Sequence, residues 1–108
     1  MTTALASLLH PDAQRIAGAL HGRVRYRYVQ PVVLREGAGW KVVSPCCSRN
    51  VAPDGGVIDI AWLLPQATGW RLHSRHHASQ RWVLQAEAPV LDSLLDALCL
   101  DPQRVFWP

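Results

Sequence analysis

The middle of the chain alternates between apolar and polar residues over several successive segments, and this alternation is what most constrains the fold. Val57 to Leu63, Trp70 to Arg75 and Gln80 to Glu87 each follow a period of two, which is typical of strands with one buried face. Short turn-forming segments separate them, and such connections favour antiparallel neighbours. Trp40 to Val43 follows a glycine-rich turn in the same way. The pattern predicts an antiparallel sheet.

Helical periodicity flanks the sheet on both sides. Thr3 to His21 carries an apolar stripe at helical spacing that His10-Pro11 interrupts, so it predicts one kinked helix or two short ones. At the other end, Pro89 opens a second helix, and Asp101-Pro102 ends it. The buried face of this second helix is predicted to consist of Leu91, Leu94, Leu95 and Leu98.

These elements predict a single α+β domain over residues 1–108, since a second domain would leave neither part with much of a core. We expect about five antiparallel strands in a meander, with the N- and C-terminal helices packed on one face. Arg23 to Tyr28 also alternates and is predicted to be a strand. The long connection from Ser44 to Gly56 is the exception among short turns, and it could change the strand order. The apolar tail, with Phe106 and Trp107, is expected to dock on the body.

Positive charge is concentrated in the middle of the chain. Residues 21–85 hold nine basic and three acidic side chains, a net charge of +6, whereas residues 86–108 carry a net charge of −3. A basic region of this kind favours an acidic partner. We therefore predict a binding or accessory module that contacts a protein with an acidic surface, with nucleic acid as the other possible partner.

The predicted binding surface combines a cationic sheet face with the 44–56 loop. Its residues are Arg23, Arg25, Arg27, Arg49, Asn50, Arg71, His73 and Arg75. By alternation, the aromatic residues fall on the opposite, apolar side, so this face lacks the rings on which bases stack. These aromatic residues are Tyr26, Tyr28, Trp62, Trp70 and Trp82. The plainer interpretation is a solvated sheet face kept soluble by its charges.

A small cysteine-dependent enzyme or redox protein is the alternative from another class. Cys46 and Cys47 are adjacent, with Arg49 nearby to lower a thiol pKa, but a base such as His73 would have to come from elsewhere in the fold. The plainer interpretation is two small residues in a tight loop. Asp59 is a further weak catalytic candidate, although a structural pairing with Arg25 or Arg71 is more in keeping with its strand.

The remaining expectations concern ligands, compartment and assembly. The chain has three cysteines, an odd number that does not form a disulfide framework, and no apolar run long enough to span a bilayer. We predict a reducing, cytoplasmic setting of bacterial type, with no metal and no cofactor, because adjacent ligand pairs chelate zinc badly. A sheet with two open edges also allows self-association, as a structural protein or a homodimer.

Overall fold

The computed structural model of the protein describes residues 10–48, 51–52 and 54–108. The part of the predicted N-terminal helix that precedes His10 lies outside these residues. Among them, no helix has the length and apolar character needed to cross a membrane. The elements in order are α1 (Pro11–Ala19), a 3-10 turn (Leu20–Gly22), β1 (Val32–Glu36), β2 (Gly39–Pro45), β3 (Val57–Gln66), β4 (Gly69–His76), β5 (Arg81–Ala88) and α2 (Leu91–Leu100).

The five strands form one sheet in the order β1-β2-β3-β4-β5, and every neighbouring pair is antiparallel. This confirms the predicted α+β meander. The long connection between β2 and β3 leaves the strand order unchanged. Its base is closed by the Cys46 amide, which donates to the Gly56 carbonyl at 2.8 Å, so the two strands meet as neighbours despite the length of the loop.

Both helices pack on one face of the sheet, which we term the inner face. Its centre is apolar, with Val42, Ile60, Leu63 and Leu72 each 0% exposed. From the helices, the residues that join this core are Ala13, Ile16, Leu91, Leu94, Leu95 and Leu98. The apolar faces of the strands, which repeat every two residues, and of the helices, which repeat every 3.6 residues, thus form one core, as the sequence predicts.

The strand predicted over Arg23–Tyr28 is wrong, because residues 23–31 form an irregular loop. The cause is the Arg23 side chain, which donates to the carbonyls of Leu20 at 2.8 Å, Tyr26 at 2.8 Å and Val29 at 2.6 Å. Tyr26 is in the left-handed region with φ 58°, a conformation that breaks an extended segment. Arg23, Arg25 and Arg27 consequently do not lie on the sheet.

Two β-bulges change which side chains face the helices. One lies where β2 pairs with β3, at Val42/Val43, and the other where β4 pairs with β5, at Leu72/His73. Each bulge reverses the alternation beyond it. Trp62 therefore lies on the side of Asp59, and Trp82 lies on the side of Arg75. Their predicted placement on the apolar side is wrong, whereas Trp70 packs against the core as expected.

The C-terminal tail docks on the body, as predicted from its apolar residues. Phe106 is 6% exposed and Trp107 is 0% exposed. Asp101 ends α2 in the left-handed conformation, with φ 35°. Its carboxylate accepts from the backbone amides of Val105 at 2.7 Å, Phe106 at 3.1 Å and Trp107 at 2.8 Å. Because a carboxylate satisfies three amides at once, the tail has a fixed path.

Candidate functional site

The 23–31 loop, the tail and the start of the long connection line an open cavity of about 320 Å³. We term it the arginine pocket, and its lining includes Arg25, Tyr26, Cys47, Arg104, Trp107 and Pro108. The structure thus places Arg25, one of the predicted binding arginines, beside Cys47 of the 44–56 loop, in a pocket and not on a sheet face.

Two of its lining residues have an unusual backbone conformation. Tyr26 has φ 58° and Arg104 has φ 55°, both in the left-handed region that non-glycine residues seldom occupy. Such residues are often found at functional sites, where the surrounding structure maintains them. A backbone hydrogen bond stabilises this conformation at Arg104, whose amide donates to the Asp101 carbonyl at 3.1 Å.

The two arginines differ in how they are held. Arg25 donates from Nε to the Asp101 carbonyl at 3.1 Å and from Nη2 to the Pro102 carbonyl at 3.3 Å. These bonds fix its guanidinium and leave other N–H groups available. Arg104 is exposed, and its side chain makes no hydrogen bond or ion pair with the rest of the described chain. The pocket therefore contains one arginine with a fixed orientation, Arg25, and one whose side chain has no partner in the described chain, Arg104.

Tyr26 forms the polar floor of the pocket. Its hydroxyl donates to the Pro108 carbonyl oxygen at 2.8 Å, and its ring lies 5.4 Å from that of Trp107, centroid to centroid. Burial raises the pKa of Tyr26 to about 12, and the neighbouring Cys46 thiol adds to the shift. Tyr26 is therefore a neutral donor throughout the physiological range.

The weak catalytic candidates are not assembled in this pocket. Cys46 is engaged within its own loop, where its sulfur accepts from the Ser48 amide at 3.3 Å and donates to the Ser48 carbonyl at 3.1 Å. Cys47 is exposed and lines the pocket, but neither Asp59 nor a histidine lines it with Cys47. In the described part of the chain, no three His, Cys, Asp or Glu side chains are grouped as metal ligands.

The sheet face opposite the helices, which we term the outer face, carries the other predicted cations. Asp59 pairs there with Lys41 at 3.4 Å and with Arg75 at 3.2 Å, not with Arg25 or Arg71. The contact at Arg75 Nε is ionic, since its geometry is outside that of a hydrogen bond. Arg71 pairs with Glu87 at 3.0 Å. Each of these cations is thus neutralised by a carboxylate.

An aromatic stack, which the sequence did not predict, occupies the centre of the outer face. The Trp62 ring lies 4.8 Å from His73 and 5.8 Å from Trp82, and the Arg75 guanidinium lies 4.8 Å from the Trp82 ring. Burial, followed by the positive charge of Arg75, lowers the pKa of nearby His77. Two adjacent apolar residues, Ile60 and Ala61, interrupt the alternation at the bulge that turns Trp62 outward, and they were its only signal in the sequence.

The predicted binding residues therefore separate into distinct places. Arg71, His73 and Arg75 lie on the outer face, and Arg25 lies in the arginine pocket. Arg23 supports the loop, and Arg27 is exposed on it. Arg49 and Asn50 lie outside the described residues. Arg104, which sequence reasoning missed, follows a helix end and belongs to no periodic pattern.

Comparison with known proteins gives a family but no activity. The model of the family described as "Domain of unknown function (DUF3024)" matches residues 7–108, which is nearly the whole chain. No curated protein matches the chain. No solved structure matches it either.

Proposed function

The chain belongs to the DUF3024 family, and we propose that it is a binding module that holds an acidic segment of a protein partner in the arginine pocket. One observation carries the proposal: Arg25 and Arg104 line a single cavity whose described lining includes no acidic side chain. Even when a carboxylate is counted at Pro108, the two arginines leave a net charge of +1.

The chemistry of the pocket suits a carboxylate. A guanidinium presents several N–H donors in one plane and binds a carboxylate through two parallel hydrogen bonds. The bonds from Arg25 to the carbonyls of Asp101 and Pro102 orient it before a ligand arrives. Ordering a side chain in advance reduces the entropy lost on binding. Arg104, which is exposed, can then close on the same carboxylate from the tail.

A protein partner fits this charge distribution better than a nucleic acid does. Nucleic acid binding draws its affinity from many phosphate contacts along an extended basic surface. On the outer face, Lys41, Arg71 and Arg75 are already paired with carboxylates. In the described part of the chain, the arginine pocket brings together two arginines that have no ion pair with a carboxylate, and its volume of about 320 Å³ has room for one or two side chains and not for a strand of nucleotides.

The test is an NMR titration of the labelled protein with an acetylated glutamate-rich peptide and, separately, with a single-stranded oligonucleotide of equal charge. We expect the peptide to shift the backbone signals of Tyr26, Cys47 and Arg104. Arg104→Gln should weaken the peptide about tenfold, in line with the loss of one charge-assisted pair. Arg27→Gln is the matched control, since Arg27 is exposed in the same loop but does not line the pocket.

Two outcomes contradict the proposal. In one, the oligonucleotide binds more tightly than the peptide and shifts signals of the outer face. In the other, Arg27→Gln weakens the peptide as much as Arg104→Gln does, which indicates a diffuse attraction between net charges instead of a pocket.

A further inference from the structure

The outer face is an ordered surface that the two helices of the described residues leave uncovered. Its side chains form three rows that run across the strands. The first row is Val43, Asp59, Arg75 and Trp82. The second row is Lys41, Trp62, His73 and Leu84. The third row is Leu64, Arg71 and Glu87.

This surface is apolar at its centre and balanced in charge. Leu84 is 46% exposed, and Trp62 and Trp82 are partly exposed beside it. The cations Lys41, Arg71 and Arg75 are matched by three acids, Glu36, Asp59 and Glu87. Tryptophan and arginine are enriched in protein interfaces, and a face without net charge does not select a strongly acidic or basic partner.

We infer that the outer face binds the outer face of a second copy of this chain. Asp59 and Arg75 occupy neighbouring strands in one row, 3.2 Å apart. A two-fold axis that runs parallel to the strands, between β3 and β4, places each Asp59 over the Arg75 of the other copy. The four charges then alternate in sign around the axis, which is the self-complementarity that a two-fold interface requires.

The same axis matches the uncharged residues. It places Trp62 over the His73 of the second copy, so that the two aromatic stacks meet. It also places Val43 over Trp82, apolar against apolar. Sheets pack face to face with their strands nearly aligned, so the rows of the two copies remain in register. Because Asp59 and Arg75 are already paired within one copy, burying them costs less than burying isolated charges.

The size of the face sets the expected strength. The axis overlays four strands, β2 to β5, and four strands about 4.8 Å apart with three rows about 7 Å apart cover on the order of 400 Å² in each copy. Two copies together bury on the order of 800 Å², which is in the size range of weak, transient interfaces. The dimer should therefore be weak and reversible, with a Kd on the order of tens of micromolar.

Sedimentation velocity from about 1 µM to about 1 mM tests the inference, since this range brackets the expected Kd. Leu84→Arg places a cation opposite Lys41 of the second copy and should raise the Kd at least tenfold. Val83→Arg is the matched control, because Val83 is the adjacent residue, is 42% exposed and faces the other side of the sheet. A chain that is monomeric at every concentration, or one that Val83→Arg disrupts equally, contradicts the inference.

A mixing experiment separates contacts between copies from those within one. Asp59→Arg alone and Arg75→Asp alone should each be monomeric, because like charges then surround the axis. Mixed together, the two variants should form a heterodimer, since each row again meets its opposite charge. Circular dichroism confirms that both variants are folded before mixing. Folded variants that fail to associate on mixing would overturn the proposed axis.

Discussion

Asp101 joins the tail to the body, and its loss should destabilise the whole domain. The residue is 2% exposed and ends α2 with φ 35°. Asp101→Gly removes the carboxylate while keeping a residue that adopts this left-handed conformation without strain. The variant therefore isolates the side-chain hydrogen bonds from the cost of the backbone geometry, which an alanine would add.

The magnitude follows from the three amides that lose their acceptor. The Val105 amide is near the surface, since the residue is 38% exposed, and water can replace the bond. Phe106 and Trp107 are buried, and an unsatisfied buried donor costs about 1–3 kcal/mol. We expect the free energy of unfolding to fall by about 3 kcal/mol, a large part of the 5–15 kcal/mol typical of a domain. The loss cannot much exceed about 3–5 kcal/mol, the cost of exposing a core tryptophan, because at that cost the tail undocks and water pairs with its amides.

Urea unfolding followed by tryptophan fluorescence measures this loss, and thermal unfolding should show a midpoint lower by roughly 10–20 °C. Asp101→Asn, which keeps one oxygen, should lose less than the glycine variant. Asp96→Asn makes the same chemical change on the exposed side of α2 and should stay within about 0.5 kcal/mol of the parent. A loss below about 1 kcal/mol for Asp101→Gly would refute the reasoning, since two buried amides cannot go unpaired so cheaply.

Three further predictions concern single residues. Because the folded pKa of Tyr26 is raised from 10.0 to about 12, its contribution to stability is complete below pH 10 and is lost as the pH rises towards 12; Tyr26→Phe should remove this part of the pH profile in urea titrations. Gly39→Ala should destabilise the protein by about 1–3 kcal/mol, because the new Cβ meets the Leu63 carbonyl, whereas Gly22→Ala meets no atom and serves as the control in thermal unfolding. Arg23→Gln should cost about 1–3 kcal/mol by leaving carbonyls of the 23–31 loop unpaired, and a variant as stable as the parent would contradict that role.

The fold could be predicted where local periodicity and tertiary packing require the same thing. The helices and four of the five strands, β2 to β5, are such cases, because each places an apolar face against one core. Arg23–Tyr28 shows the limit: its alternation is that of a strand, but the carbonyl bonds of Arg23 stabilise a loop that no pattern announces. A competing local hydrogen-bond network outweighed propensity there.

The candidate site was predictable only in part, for a geometric reason. A bulge depends on how two strands are paired, so the outward turn of Trp62 and Trp82 is decided by residues on other strands. Sequence alternation assigned both to the core. Arg104 lies in an aperiodic tail, and its proximity to Arg25 arises only when the tail folds back over the loop.

Because the docked tail lines the arginine pocket, a ligand that binds there should raise the stability of the folded protein. Arg104 and Trp107 belong to the tail, and Arg25 is held by the carbonyls of Asp101 and Pro102. The pocket therefore exists only in the folded state, and a ligand bound there is thermodynamically linked to unfolding. At about one hundred times its Kd, such a ligand adds about 2.7 kcal/mol of stability. Screening acidic peptides for an upward shift in the unfolding temperature thus offers a way to test the proposed acidic ligand.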